Sequence, residues 1–227
     1  MEKLMVSQIY QAIESIFPPI RIIKNYYSKF FGAKRYKYLC ETIRNNRCRK
    51  IMEIGTWDGE HALQMIREAK KFHGRGVEYY GFDLFEFLDE RLCLKEFSKR
   101  PPKLKEVARE LQKTDCRVRL FRGDTKEVLP KVVEKLPGMD FIFIDGGHSV
   151  ETIENDWKYA QRLMANHTVV IFDDYWNRED AGCKKVIEEI DRSEFNVEIL
   201  PIRDRFRGTS GSLRINFVKV QKIKKWE

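Results

Sequence analysis

Apolar residues recur along this chain with two alternating periods. Short, nearly continuous apolar runs predict strands at 50–55, 77–82, 117–121, 139–145 and 167–173. Between them, apolar residues three and four apart predict helices at 59–71, 102–113, 125–135, 149–164 and 179–191. Phe-Ile-Phe-Ile at 141–144 and Thr-Val-Val-Ile-Phe at 168–172 have no polar face, as expected of parallel strands covered by helices on both sides. The repeated strand–helix order predicts an α/β fold built on a doubly wound, mostly parallel sheet. The pattern then breaks. Two further strands, 195–202 and 213–220, are separated only by a polar loop, 203–212, so they must form an antiparallel hairpin and bring the sheet to seven strands. If the first of them continues the parallel order, the loop overhangs the ligand end of the sheet with Arg203, Arg205 and Arg207.

A basic helical preface comes before the alternation. Met5, Ile9, Ala12, Ile13 and Ile16 give an amphipathic helix over 3–17, stopped by Pro18-Pro19. A second stretch, 20–31, mixes Ile22, Ile23, Tyr26, Tyr27 and Phe30 with lysines before Gly32, and a third runs over 36–45. Residues 1–49 are therefore read as an N-terminal helical extension and 50–227 as the main domain. The extension is suited to pack on the sheet, to cover the pocket, or to bind a second copy in a homodimer.

Composition narrows the class. With 227 residues, 42% hydrophobic and 12% aromatic, the chain reads as a soluble globular protein of one domain. No apolar run is long enough for a membrane span, and the first fifteen residues are too polar for a secretory segment. Cys40, Cys48, Cys93, Cys116 and Cys183 show no metal-ligand spacing and read as reduced thiols, the expectation for a cytoplasmic protein. The net charge of +8 suits an anionic partner, but no nucleic-acid motif accompanies it, so a solvated basic surface is the simpler account.

Candidate chemistry begins at Glu53-Ile-Gly55-Thr56-Trp57-Asp-Gly59, a strand end, a glycine turn and a helix start. This is where an open α/β sheet binds its ligand. The turn lacks the GK[ST] ending of a phosphate-binding Walker loop. Trp57 stands where a dinucleotide fingerprint needs glycine for close approach of a pyrophosphate, which disfavours an NAD-dependent oxidoreductase. Acidic residues follow at later strand ends, in Tyr79-Tyr80-Gly81-Phe82-Asp83-Leu84 and Gly123-Asp124-Thr125. Each could also do no more than cap a helix or a turn.

With these motifs in this order, residues 50–220 resemble the class I S-adenosylmethionine-dependent methyltransferases, a Rossmann-like family whose sheet ends in such a hairpin. The resemblance implies S-adenosylmethionine as cofactor. Glu53, Gly55, Thr56, Trp57, Gly59 and His61 would lie at its turn, Asp83 and Leu84 at its ribose, Gly123, Asp124 and Thr125 at its adenine, and Asp145 and Gly146 beside it.

The next two strands end in Ile144-Asp145-Gly146-Gly147-His148 and Phe172-Asp173-Asp174-Tyr175. Neighbouring strands lie about 4.8 Å apart, so these carboxylates converge, and crowded carboxylates repel unless a cation sits among them. Oxygen donors without cysteine favour a hard cation such as Mg²⁺. Adjacent strand residues face opposite ways, so Asp173 and Asp174 can share an ion only if the strand has already given way there. These segments resemble the metal-dependent O-methyltransferases of the caffeoyl-coenzyme A and macrocin types. That resemblance implies Asp145, Asp173 and Asp174 as metal ligands and a small-molecule or sugar hydroxyl as acceptor. The arginine loop would suit an anionic one. His148 is the candidate general base, its ordinary pKa being near neutral, or else it only bonds the helix that follows, and Asp145 is counted with it as catalytic. A metal-independent enzyme, a nucleic-acid methyltransferase and a non-catalytic relative remain alternatives. The nucleic-acid alternative is disfavoured because Ile-Asp-Gly-Gly stands where such enzymes usually carry NPPY-like or Pro-Cys motifs.

Overall fold

A computed structural model describes residues 33–96, 101–177, 179–208 and 211–224. The chain divides into two compact units, Met1–Lys34 and Arg35–Glu227, and the fold described below is that of the second. The helices expected over 3–17 and 20–31 lie outside the described residues.

After a 3-10 turn, Lys34–Tyr36, the elements run α1 (Lys37–Asn46), β1 (Lys50–Ile54), α2 (Glu60–His73), β2 (Glu78–Asp83), α3 (Glu90–Lys95), α4 (Leu104–Gln112), β3 (Arg117–Arg122), α5 (Thr125–Val132), β4 (Met139–Ile144), α6 (Val150–Arg162), β5 (Met164–Trp176), α7 (Lys184–Glu189), β6 (Phe195–Gly208) and β7 (Gly211–Lys222). The sheet order is β3-β2-β1-β4-β5-β7-β6. Strands β1 to β5 pair in parallel, whereas β7 lies antiparallel to both β5 and β6. The order reverses between β1 and β4, the topological switch point at which such sheets bind ligands beyond their carboxyl ends. None of the helices among the described residues is long and apolar enough to cross a membrane.

The unbroken apolar runs divide residue by residue between two cores. Met52, Ile142, Ile144, Val170 and Phe172 face the side where Leu129, Ile153, Trp157 and Ile187 of α5, α6 and α7 pack. Ile51, Phe141, Phe143, Val169 and Ile171 face the other side, with Leu39, Ile43, Ala62, Ile66, Val107 and Leu111 of α1, α2 and α4.

Helix α1, read as part of the N-terminal extension and expected to pack on the sheet, buries Leu39 and Ile43 in the core that β1 and β4 share. One detail differs from the sequence reading. The polar segment 203–212 is not an overhanging loop, because β6 runs on to Gly208 and β7 starts at Gly211. It pairs with β7 from Arg203 to Gly208, and Arg203 Nε donates to Asn216 Oδ1 at 2.9 Å across the hairpin.

The packing of α1 sets a test. Ile43 is fully buried, so Ile43→Ala should lower unfolding free energy by about 2–5 kcal/mol. Urea denaturation measures it, and a loss no larger than that of a surface substitution would show that α1 is not part of the core.

Candidate active site

Backbone hydrogen bonds stitch the carboxyl ends of four parallel strands into one rim. Gly55 N–H donates to Phe82 O at 2.8 Å, Asp145 N–H to Ile54 O at 2.8 Å, and Gly123 N–H to Asp83 O at 3.0 Å. Gly55 has φ +96°, and a Cβ there would lie 1.8 Å from the Asp145 carbonyl oxygen. Only glycine permits that approach between the β1 turn and the end of β4. Gly59 N–H then closes the turn on Thr56 O at 2.8 Å and starts α2. Trp57 also takes a left-handed φ, +44°, with its side chain 36% exposed.

Carboxylates crowd this rim. Asp83 Oδ2 accepts the Trp57 N–H at 2.7 Å and Oδ1 the Phe85 N–H at 2.9 Å, which fixes the carboxylate against the glycine turn. Burial raises its pKa, opposed by those backbone donors. Glu53 lies beneath the turn, 1% exposed, with Oε2 accepting the Tyr79 hydroxyl and Oε1 buried without a partner. Burial pushes its pKa to about 8 against the Tyr79 hydrogen bond. Asp124 caps α5, accepting the Lys126 N–H at 2.9 Å, as the simpler sequence reading allowed. Asp145 is held well above the usual carboxylate range, first by burial and then by Asp173 and Asp174.

The end of β5 answers the question of alternation. The pairing of β5 with β7 shifts register between Phe172 and Tyr175, and Asp174 takes φ +61°. This is a bulge of the kind that re-aims side chains. The two carboxylates take different partners. Asp173 meets Arg35, whose Nε donates to Oδ1 at 2.8 Å and Nη2 to Oδ2 at 2.7 Å. The Tyr36 hydroxyl donates to Asp173 Oδ2 at 2.8 Å and reaches Asp145 Oδ2 at 3.4 Å. Asp174 instead faces His148, with Nε2 to Oδ2 at 2.9 Å.

A metal ion held by Asp145, Asp173 and Asp174 therefore does not fit this arrangement. Among the described residues no group of three His, Cys, Asp or Glu side chains is placed to hold one. His148 engages Asp174, and a guanidinium and a phenol lie against Asp173.

His148 also departs from the role of a resting base. Its Nδ1 lies against the Glu96 carbonyl and its Nε2 against Asp174, so both ring nitrogens face acceptors. Burial disfavours the charged ring, but the Asp174 hydrogen bond and charge outweigh it and raise the pKa to about 9. An imidazolium already carries the proton that a base would need to accept. His61, expected at the cofactor turn, stacks on Tyr36 with ring centroids 3.9 Å apart, and burial followed by the Arg35 charge lowers its pKa to about 4.

A family model described as a methyltransferase domain matches residues 52–175, more than half of the chain. The chain belongs to the methyltransferase-domain family. The class I resemblance and the seven-stranded fold read from the sequence are thereby met. Among solved structures, the O-methyltransferase TomG from Streptomyces achromogenes, involved in tomaymycin synthesis and solved with SAM, superposes with a TM-score of 0.58 at 16% identity, over 83% of this chain and 79% of that one. An O-methyltransferase from Bacillus cereus in complex with SAH gives 0.57 at 16% identity, over 95% and 97%. A putative rRNA methylase from Clostridium thermocellum gives 0.55 at 13%, over 84% and 94%. At these identities the likeness is one of fold, and the fold is shared across acceptor classes. No curated protein matches the chain.

Arg35, Tyr36 and Asp204 escaped the sequence reading. The only signal for Arg35-Tyr36 was its place directly before a helix leading into β1, among many other basic residues.

Two measurements check these electrostatics. A carboxyl whose pKa is raised on folding stabilises the fold below its unfolded pKa, near 4.5, and loses that contribution as the pH climbs through about 8. Glu53→Gln should therefore gain stability relative to the parent between pH 5 and 8, by roughly 1.4 kcal/mol for each pH unit climbed. A pH series of urea midpoints reads this, and parallel curves would refute it. For His148, nitrogen NMR at pH 7.5 should show both ring nitrogens protonated. A neutral tautomer would restore it as a base.

Proposed function

We propose that this methyltransferase-domain protein moves a methyl group from S-adenosylmethionine to a hydroxyl of a small-molecule or sugar acceptor. The observation that carries the reading is Asp83. It stands at the end of β2, held by the Trp57 N–H of the glycine turn and the Phe85 N–H of its own strand end, with acceptor capacity left for a ribose hydroxyl. The other residues fit the same ligand. Glu53 Oε1, buried and unpartnered, and Asp145 at the end of β4 are acceptors suited to a cationic methionine group. Gly55, Thr56 and Gly59 keep the turn low enough for a nucleoside, and Gly123, Asp124 and Thr125 border the adenine side.

S-adenosylmethionine, when bound, supplies a methyl group already activated on a sulfonium. What remains for the protein is placement of the acceptor oxygen in line and removal of one proton, and placement alone supplies much of such a rate. Asp145 is the residue for the proton. Burial and the neighbouring Asp173 and Asp174 raise its proton affinity, which brings it closer to a hydroxyl than an ordinary carboxylate. As the carbon–oxygen bond forms and the carbon–sulfur bond breaks, the hydroxyl proton passes to Asp145. The His148–Asp174 pair adjoins this end of the sheet as a fixed ion pair. A sugar acceptor is favoured by the Ile-Asp-Gly-Gly-His and Phe-Asp-Asp-Tyr segments, and the homodimer remains a proposal for the N-terminal helices.

Calorimetry of the full chain against S-adenosylhomocysteine, with NAD as comparator, tests the reading. Binding of the former should be clear, and Asp83→Ala should weaken it by about ten- to a hundredfold, the loss expected for one or two charge-assisted hydrogen bonds. Preference for NAD, or an Asp83→Ala affinity equal to the parent, would refute it.

A further inference from the structure

Every acceptor position of Asp173 is in use. Oδ1 takes the Arg35 Nε–H at 2.8 Å and the Asp174 backbone N–H at 2.6 Å. Oδ2 takes the Arg35 Nη2–H at 2.7 Å and the Tyr36 hydroxyl at 2.8 Å. A carboxylate offers about four lone-pair sites, so none is left for a metal ion. The guanidinium is also held on a second side. Its Nη1 donates to Asp204 Oδ2 at 3.1 Å, and the same oxygen takes the Arg35 backbone N–H at 3.1 Å.

The surroundings favour this cation over a divalent ion. Arg35 is 4% exposed, and its guanidinium carbon lies 4.6 Å from the Tyr36 ring centroid and 5.4 Å from that of Phe217. A flat, weakly hydrated guanidinium suits such rings and the fork of a carboxylate. Mg²⁺ dehydrates reluctantly and usually keeps several waters, for which aromatic walls provide no partners. Asp174 Oδ2 is likewise engaged, by His148 Nε2 at 2.9 Å.

We infer that the Arg35 guanidinium is the resident cation of this acidic cluster, in the place where the metal-dependent O-methyltransferases would hold a divalent ion, and that the protein takes up no divalent metal there. Its consequence for catalysis rests on the proposed methyl transfer, whereas the metal statement does not. A guanidinium neutralises and orients its carboxylate, but it is no Lewis acid that lowers the pKa of a coordinated hydroxyl. Proton removal then falls to Asp145, and Arg35 acts as a positioning residue through Asp173 and Tyr36.

Electron paramagnetic resonance of Mn²⁺ titrated into the full chain, with and without S-adenosylhomocysteine, tests the inference without needing an acceptor. The expected result is a free-ion signal undiminished by the parent protein in both conditions. Loss of signal by one ion per chain, reversed by Asp173→Asn, would overturn it. Arg35→Met should gain an Mn²⁺ site that a second substitution, Asp173→Asn, removes. A folded Arg35→Met that gains none would show that Arg35 is not what keeps metal out. Should that variant fail to fold, the parent titration decides alone. Failure of S-adenosylhomocysteine to bind would count against the cofactor reading and leave the Mn²⁺ result intact.

Discussion

The buried pairing of Arg35 with Asp173 is the contact on which this end of the molecule depends. Glu53, Asp83, Asp145, Asp173 and Asp174 are all drawn to one rim by strands hydrogen-bonded to one another. Their mutual repulsion must be relieved by protonation or by a cation. The relief is shared: Glu53 and Asp145 hold their protons more tightly, His148 carries a charge opposite Asp174, and Arg35 neutralises Asp173. Removing one partner of a buried pair leaves a naked charge and typically costs about 3–5 kcal/mol. Far less follows from the exposed ion pairs, such as Arg75 with Asp115, where water and salt screen the charges.

This pairing explains features that otherwise look unrelated. The segment before α1 must reach the carboxyl end of the sheet, so α1 packs on the β1 and β4 face rather than standing apart. Strand β6 must run past the edge expected from its hydrophobic pattern, because Asp204 is the second acceptor for Arg35. The bulge in β5 keeps Asp173 on the Arg35 side and hands Asp174 to His148. Three elements far apart in sequence are thus fixed by one guanidinium.

The fold was legible from hydrophobic periodicity because both faces of the sheet are covered, which leaves the strand signal unbroken at 141–144 and 168–172. The glycine turn was legible because a single backbone approach, Gly55 against Asp145, demands a residue without a side chain. Proximity of the later carboxylates was also legible, since parallel register places strand ends side by side. What neutralises them was not. A buried arginine looks like any surface arginine in a basic segment, and its role depends on contacts 138 and 169 residues away along the chain. The direction in which each aspartate points was likewise invisible, because a one-residue bulge leaves no mark in the pattern.

The excess of carboxylates over Arg35 then takes on a meaning of its own. Before a donor binds, burial raises the proton affinity of Glu53 and Asp145 above that of ordinary carboxylates. A cationic sulfonium entering beside them favours their ionised forms, so donor binding under the proposed reaction is linked to proton release. Transfer of the methyl group removes the positive charge from sulfur at the moment the acceptor hydroxyl gives up its proton. If Asp145 takes that proton, the net charge of the buried rim is the same before and after the step, and no ion from outside need enter or leave. Arg35 keeps its charge throughout, which is why it can orient the site without taking part in the proton exchange.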